Sequence, residues 1–107
     1  MSKPNNFNWS STKSSGGAFN LTAADWNDLQ DTINQMRDYL GMSEYDFTRA
    51  VKGETFTALM YNEAREAIQG FGSGAGSYIP KVSKGDTITA NIMNVIVTEL
   101  NSAINNL

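Results

Sequence analysis

The chain contains no cysteine and no histidine, only two prolines among its 107 residues, and no long apolar run. Each absence removes a class of chemistry. Without Cys or His there is no zinc finger, iron–sulfur cluster, thiol nucleophile, Ser-His-Asp relay or disulfide framework. No stretch approaches the roughly 20 apolar residues of a membrane span, and the N-terminus MSKPNNFNWSSTKSSGG lacks the apolar segment of a secretory signal. Two glycosylation-type tripeptides, Asn8-Trp9-Ser10 and Asn20-Leu21-Thr22, therefore carry no weight. An excess of basic residues is also missing: 8 Lys plus Arg stand against 11 Asp plus Glu, a net charge of −3. That balance argues against a dedicated nucleic-acid or acidic-lipid binder.

What is present is an internal repeat. Ala18 to Asn27, Gly53 to Asn62 and Gly85 to Asn94 align at offsets of 35 and 32 residues. In each, an apolar residue precedes Thr-Ala, a large apolar or aromatic residue follows, and Asn comes next. The downstream apolar positions agree as well: Leu29, Ala64 and Ile96, then Ile33, Ile68 and Leu100. Copies two and three add Lys52-Gly53 and Lys84-Gly85.

Each copy reads as the start of an amphipathic helix. Thr22, Thr57 and Thr89 stand where a hydroxyl can accept from a free N–H of the first turn. The pairs Leu21 with Trp26, Phe56 with Tyr61 and Ile88 with Met93 have the spacing of a hydrophobic staple. Asp25 falls at the capping-box position of the first copy, near the positive helix end. The spacing predicts helices from about Thr22 to Leu40, stopped by Gly41, from Thr57 to Gln69, stopped by Gly70, and from Thr89 to the C-terminus. The fold class expected is mainly all-α, three pseudo-repeated amphipathic helices with short extended connecting segments. Residues 1–16 are read as a flexible N-terminal segment and 17–107 as a single helical-repeat domain.

The connections carry weaker signals. Phe47 to Val51 and Tyr78 to Val82 align ahead of the two Lys-Gly turns, and Pro80 forces extended backbone, so a short strand pair is expected there. Gly70 to Ser77 has glycine at every second position and reads as a flexible linker. A phosphate-cradling loop would have to follow a strand and open a helix, and this tract does neither.

No candidate site in the sequence is catalytic, and no cofactor or metal set emerges. Asp25, Asp28 and Asp31 line one helix flank but lack the clustered loop oxygens of a hard-cation site. Asn27, Asn62 and Asn94 are more informative, because Asn is a poor helix-interior residue and propensity would not repeat it. Each lies at the edge of the buried face, where its amide reaches incoming backbone, so the three are read as structural clamps. The third helix is apolar on more than one face. Three helices of unequal length cannot cover all of it, so the excess should lie in a subunit interface or under the N-terminal segment, and Ile92, Val95, Ile96, Val97, Leu100 and Ile104 are expected to form an interface in a symmetric homo-oligomer.

The form Gly-Asp/Glu-Thr-apolar-Thr-Ala followed by a large residue and Asn, as in Gly53 to Asn62 and Gly85 to Asn94, resembles the helical modules of small virion proteins of phages and prophages of Gram-positive bacteria. Ala23 to Leu29 and Ile33 to Gly41 are similar to the same kind of tail-associated or tail-fibre sequence. Across residues 17 to 107 the resemblance implies a non-enzymatic assembly role in a tail, baseplate or fibre, in the virion, with itself and other virion proteins as partners. The alternative is a host cytosolic helical interaction module. A hydrolase working through two carboxylates is the third reading, and no acidic pair stands in an apolar context that would raise one pKa.

Overall fold

The computed structural model describes residues 3–9, 22–54, 56–85 and 89–107. Three helices account for its regular structure: α1 Ala23–Tyr39, α2 Ala58–Gln69 and α3 Ala90–Asn106. The fold is mainly all-α, and no strand occurs among the described residues.

The helices start where the repeated threonines place them. Thr22, Thr57 and Thr89 are extended N-cap residues, and their hydroxyls accept from the backbone N–H groups of Asp25 (3.0 Å), Met60 (3.2 Å) and Ile92 (3.3 Å). Each bond satisfies a donor the first helical turn leaves open. Two of the three staple pairs involve Leu21 and Ile88, which lie outside the described residues. In the remaining copy, Phe56 packs edge-on against Trp26 of α1, with ring centroids 4.6 Å apart.

The ends differ between helices. Past α1, Gly41 adopts φ +77°, its N–H donates to the Asp38 carbonyl, and that of Met42 donates to the Arg37 carbonyl. This double closure is the Schellman arrangement. Gly70, expected to stop α2 in the same way, is right-handed at φ −64°. The left-handed residue comes two positions later at Gly72, φ +84°. A Cβ at Gly70 would stand 2.9 Å from the Arg37 guanidinium, which donates to the Ala67 carbonyl, so a side chain there would press on that bond.

The repeat governs the core. The equivalent residues Trp26, Tyr61 and Met93 are all fully buried, as are Leu29, Ala64 and Ile96, and Ile33, Ile68 and Leu100. One turn further on, Met36, Phe71 and Ala103 are also buried. Trp9, Trp26 and Tyr61 stack in sequence, with centroids 6.3 and 6.2 Å apart, so that the N-terminal segment, α1 and α2 share one aromatic column.

Three expectations are corrected here. The Phe47–Val51 and Tyr78–Val82 segments do not pair as strands; each lies against helices, and side-chain amides bind its backbone. Gly70–Ser77 is not an open linker but a run of tight turns. Ala75, Ser77 and Ile79 donate to the Gly72, Gly74 and Gly76 carbonyls. Gly72, Gly74 and Gly76 all take positive φ, which spares those turns the Cβ clash. Residues 3–9, part of the segment read as flexible, are docked, with Pro4 and Phe7 buried; residues 10–16 lie outside the described residues.

Candidate functional site

The polar side chains that face inward are used to hold backbone. On α1, Asn34 Nδ2 donates to the Tyr45 carbonyl (3.0 Å) and its Oδ1 accepts from the Tyr45 N–H (2.7 Å). Asn27 makes the same reciprocal pair with Ala50, both bonds 2.9 Å. Between them Gln30 Nε2 donates to the Thr48 carbonyl at 2.9 Å. A primary amide offers one donor edge and one acceptor edge, so it does for an extended segment what a neighbouring strand's peptide group would do. That is why these segments need no sheet.

The arrangement recurs on α2. Asn62 holds both the N–H and the carbonyl of Val82. Arg65 Nε donates to the Ile79 carbonyl at 2.9 Å, and Gln69 Nε2 to the Gly76 carbonyl at 3.2 Å. On α3, Asn101 makes the reciprocal pair with Phe7, 2.7 Å from the Phe7 N–H and 2.9 Å to its carbonyl. Asn94, half-buried, also has a partner.

Asn27 and Asn62 are thus clamps as expected, and sequence reasoning missed the companions Asn34, Gln69 and Asn101. Their signal was present: each follows a repeated Asn by seven residues, in the same 35- and 32-residue register. Seven residues is two helical turns, so both amides of a pair share one face, about 10.5 Å apart along the axis.

Each segment also touches a second helix. In the segment from Ser43 to Ala50, the Thr48 N–H and hydroxyl donate to Glu63 of α2 (2.9 and 3.1 Å), and the Tyr45 hydroxyl donates to Glu66 (3.2 Å). In the segment from Gly76 to Val82, the Tyr78 N–H donates to Glu99 of α3 (3.0 Å). The segment from Lys3 to Trp9 is held on α3 by Asn101 and by the Trp9 indole N–H, which donates to the Met93 carbonyl at 3.3 Å. It reaches α1 through the Trp9–Trp26 stack and through Lys3, whose ammonium lies 5.6 Å from the Tyr39 ring centre. The three segments therefore bridge α1 to α2, α2 to α3 and α3 to α1, and the N-terminus closes the cycle.

No family model, curated protein or solved structure matches the chain.

The proposed interface on α3 needs correction. Ile96, Leu100 and Ile104 belong to the chain's own core, at most 3% exposed, and cannot form a surface seam. Ile92, Val95 and Val97 are half-buried and packed against that core. The N-terminal segment, the other place expected for the excess apolar surface, does lie on α3, through Trp9 on the Met93 carbonyl and Phe7 on Asn101. Among the described residues, the exposed large apolar side chains are Tyr39, Val51, Leu59 and Tyr78, none of them on α3.

Val51 and Leu59 border a groove of about 940 Å3 at the N-terminal ends of α1 and α2, walled by Trp26, Phe56 and Met60. Its charged lining residues are Arg49, Lys52 and Glu54, and Arg49 pairs with Asp31 at 2.8 Å. Among the described residues no group of three or more acidic side chains is placed to hold a metal ion, so the α1 aspartates do not converge. No helix there is long and apolar enough to cross a membrane. Trp26 Nε1 and Gln30 Oε1 are buried without a hydrogen-bond partner, a cost of about 1–3 kcal/mol each that the surrounding packing offsets.

Ionisation shifts follow the same structural logic. Tyr61 is pushed well above the usual tyrosine range by burial, and its hydroxyl donates to the Ile92 carbonyl at 3.2 Å. Tyr45 is raised by desolvation and by its bond to Glu66. Glu44, fully exposed, is raised by a hydrogen bond and charge repulsion from Asp38.

Proposed function

We propose that this chain is a non-enzymatic structural component of a phage or prophage particle, associated with the tail, baseplate or fibre. The observation that carries the reading is the repeated Gly-Asp/Glu-Thr-apolar-Thr-Ala module with its following Asn, which resembles the modules of small virion proteins. The geometry is in keeping with that role. Asn27, Asn34, Asn62, Gln69 and Asn101 bind backbone at five places. Side chains used in this way set shape and leave the outer surface to partners.

The test is physical association. In a strain carrying the gene, the prophage is induced and particles are purified by density-gradient centrifugation. The chain is then quantified by immunoblot across the gradient. Co-sedimentation with intact particles at a constant ratio to the tail proteins is expected. A chain that remains wholly in the soluble lysate, with particles complete without it, overturns the virion assignment.

A further inference from the structure

We propose that the polar cavity between the glycine turns and α3 binds a neutral sugar, a hexose ring stacked on Tyr78 and held through its hydroxyls. The inference does not rest on the virion assignment.

The cavity has a volume of about 330 Å3, and Ser73, Ser77, Tyr78, Glu99, Ser102 and Asn106 are among the residues that line it. Small-ligand pockets begin at about that size. Glu99, Ser102 and Asn106 follow one another at three and four residues along α3, so they share one face of the helix. Glu99 Oε1 accepts from the Tyr78 N–H at 3.0 Å, and its Oε2 has no protein partner among the described residues. Asn106 Nδ2 donates to the Ser102 carbonyl at 2.8 Å and to its hydroxyl at 3.3 Å. One carboxylate oxygen and the Ser73, Ser77 and Ser102 hydroxyls thus keep hydrogen-bonding capacity beyond their protein bonds.

Tyr78 is 83% exposed, the largest exposure of any large apolar side chain among the described residues, yet its backbone is fixed. Glu99 holds its N–H. The next residue, Ile79, is 2% exposed, donates to the Gly76 carbonyl and accepts from Arg65. An aromatic side chain on backbone already held in place costs a ligand little in ordering. Ser73 is a second, independent sign. At φ +57° it is the one non-glycine residue with positive φ among the described residues, although Gly72 and Gly74 beside it supply that conformation freely. Glycine at 73 would relieve the strain and remove a hydroxyl from the cavity wall. Strain of this kind concentrates at ligand sites.

The lining selects the ligand class. Its charged side chain is the Glu99 carboxylate, which repels anions, and among the described residues no acidic group of three stands ready for a metal ion. An apolar ligand would leave the polar groups unpaired. A neutral polyhydroxyl ring satisfies both parts of the site: its hydroxyls donate to Glu99 and exchange bonds with the serines, and its weakly positive C–H face lies on the negative face of the Tyr78 ring.

Titration of the full 107-residue chain, followed by amide NMR, tests this. The probes are glucose, galactose, mannose and N-acetylglucosamine, each to about 50 mM, together with the methyl glycoside of each. At least one should give saturable shifts at the Ser77, Tyr78 and Ser102 amides, with a Kd of roughly millimolar. A response to free sugars alone identifies a free monosaccharide, and a response to methyl glycosides identifies the end of a glycan chain. Tyr78→Ala should weaken the binding at least about fivefold, while Leu59→Ala, an exposed change away from the cavity, should leave it unaltered. Three results overturn the proposal: no saturable shift at those amides with any probe, equal saturation by glycerol, which has hydroxyls but no ring face, or a Tyr78→Ala loss smaller than about fivefold.

Discussion

Replacing Asn62 with Ala removes two hydrogen bonds from one buried residue. Val82 is 2% exposed, and Asn62 serves both its N–H and its carbonyl. A typical intramolecular hydrogen bond contributes about 1 kcal/mol net, so the pair is worth about 2 kcal/mol. Asn62 is itself half-buried, and water entering the vacated space would relieve part of the desolvation penalty. Helix propensity works the other way, since Ala is favoured over Asn by up to about 0.7 kcal/mol in a helix interior. The expected net loss is therefore about 1.5 kcal/mol. Asn91→Ala is the control: Asn91 is an exposed residue of α3, and that change should move stability by less than about 0.5 kcal/mol. Urea unfolding followed by far-ultraviolet circular dichroism measures both. The same substitution should be clearly destabilising at one asparagine and near neutral at the other. If Asn62→Ala costs less than about 0.5 kcal/mol, the amide does not hold the segment, and the account of how these chains dock without a sheet fails.

Three other outcomes are expected. Gly76→Ala should cost more than Gly74→Ala although both are left-handed, because the new Cβ at Gly76 would meet Gln69, Ile68 and Ile79 atoms at 3.0 to 3.3 Å and the one at Gly74 meets nothing within 4 Å. Backbone strain alone accounts for about 1–2 kcal/mol at either site, and equal urea midpoints would show that the close approach is not felt. Leu100→Asp should abolish folding, because Leu100 is fully buried, whereas Val97→Asp at a half-buried position should leave a folded chain with a lowered thermal midpoint; a folded Leu100→Asp protein would return Leu100 to the surface. Stability should also fall above about pH 10, because Tyr45 and Tyr61 are both raised and the unfolded chain gives up these protons first. That contribution is complete below the ordinary tyrosine range and is lost as pH rises through the folded values. A urea midpoint unchanged between pH 8 and about pH 11 would contradict the burial of the Tyr61 hydroxyl and the bond from Tyr45 to Glu66.

The parts of this fold that were legible in the sequence are those whose cause is local. A threonine hydroxyl caps an N–H three residues away, so Thr22, Thr57 and Thr89 identify the helix starts without reference to anything distant. The three-four spacing of Trp26, Leu29, Ile33 and Met36 identifies a buried face whatever lies against it, and all four are fully buried. The repeated Asn27 and Asn62 could be read as clamps because their placement contradicts their propensity. What they clamp could not be read, and neither could the fate of the apolar surface on α3. Pairing Asn101 with Phe7 joins residues 94 apart, and covering α3 depends on which segments fold back onto it. Periodicity says that a face must be buried but is silent on the partner. Only tertiary packing lays the N-terminal segment on α3 through Asn101 and on α1 through Trp26, so a segment whose composition reads as disorder becomes part of the core.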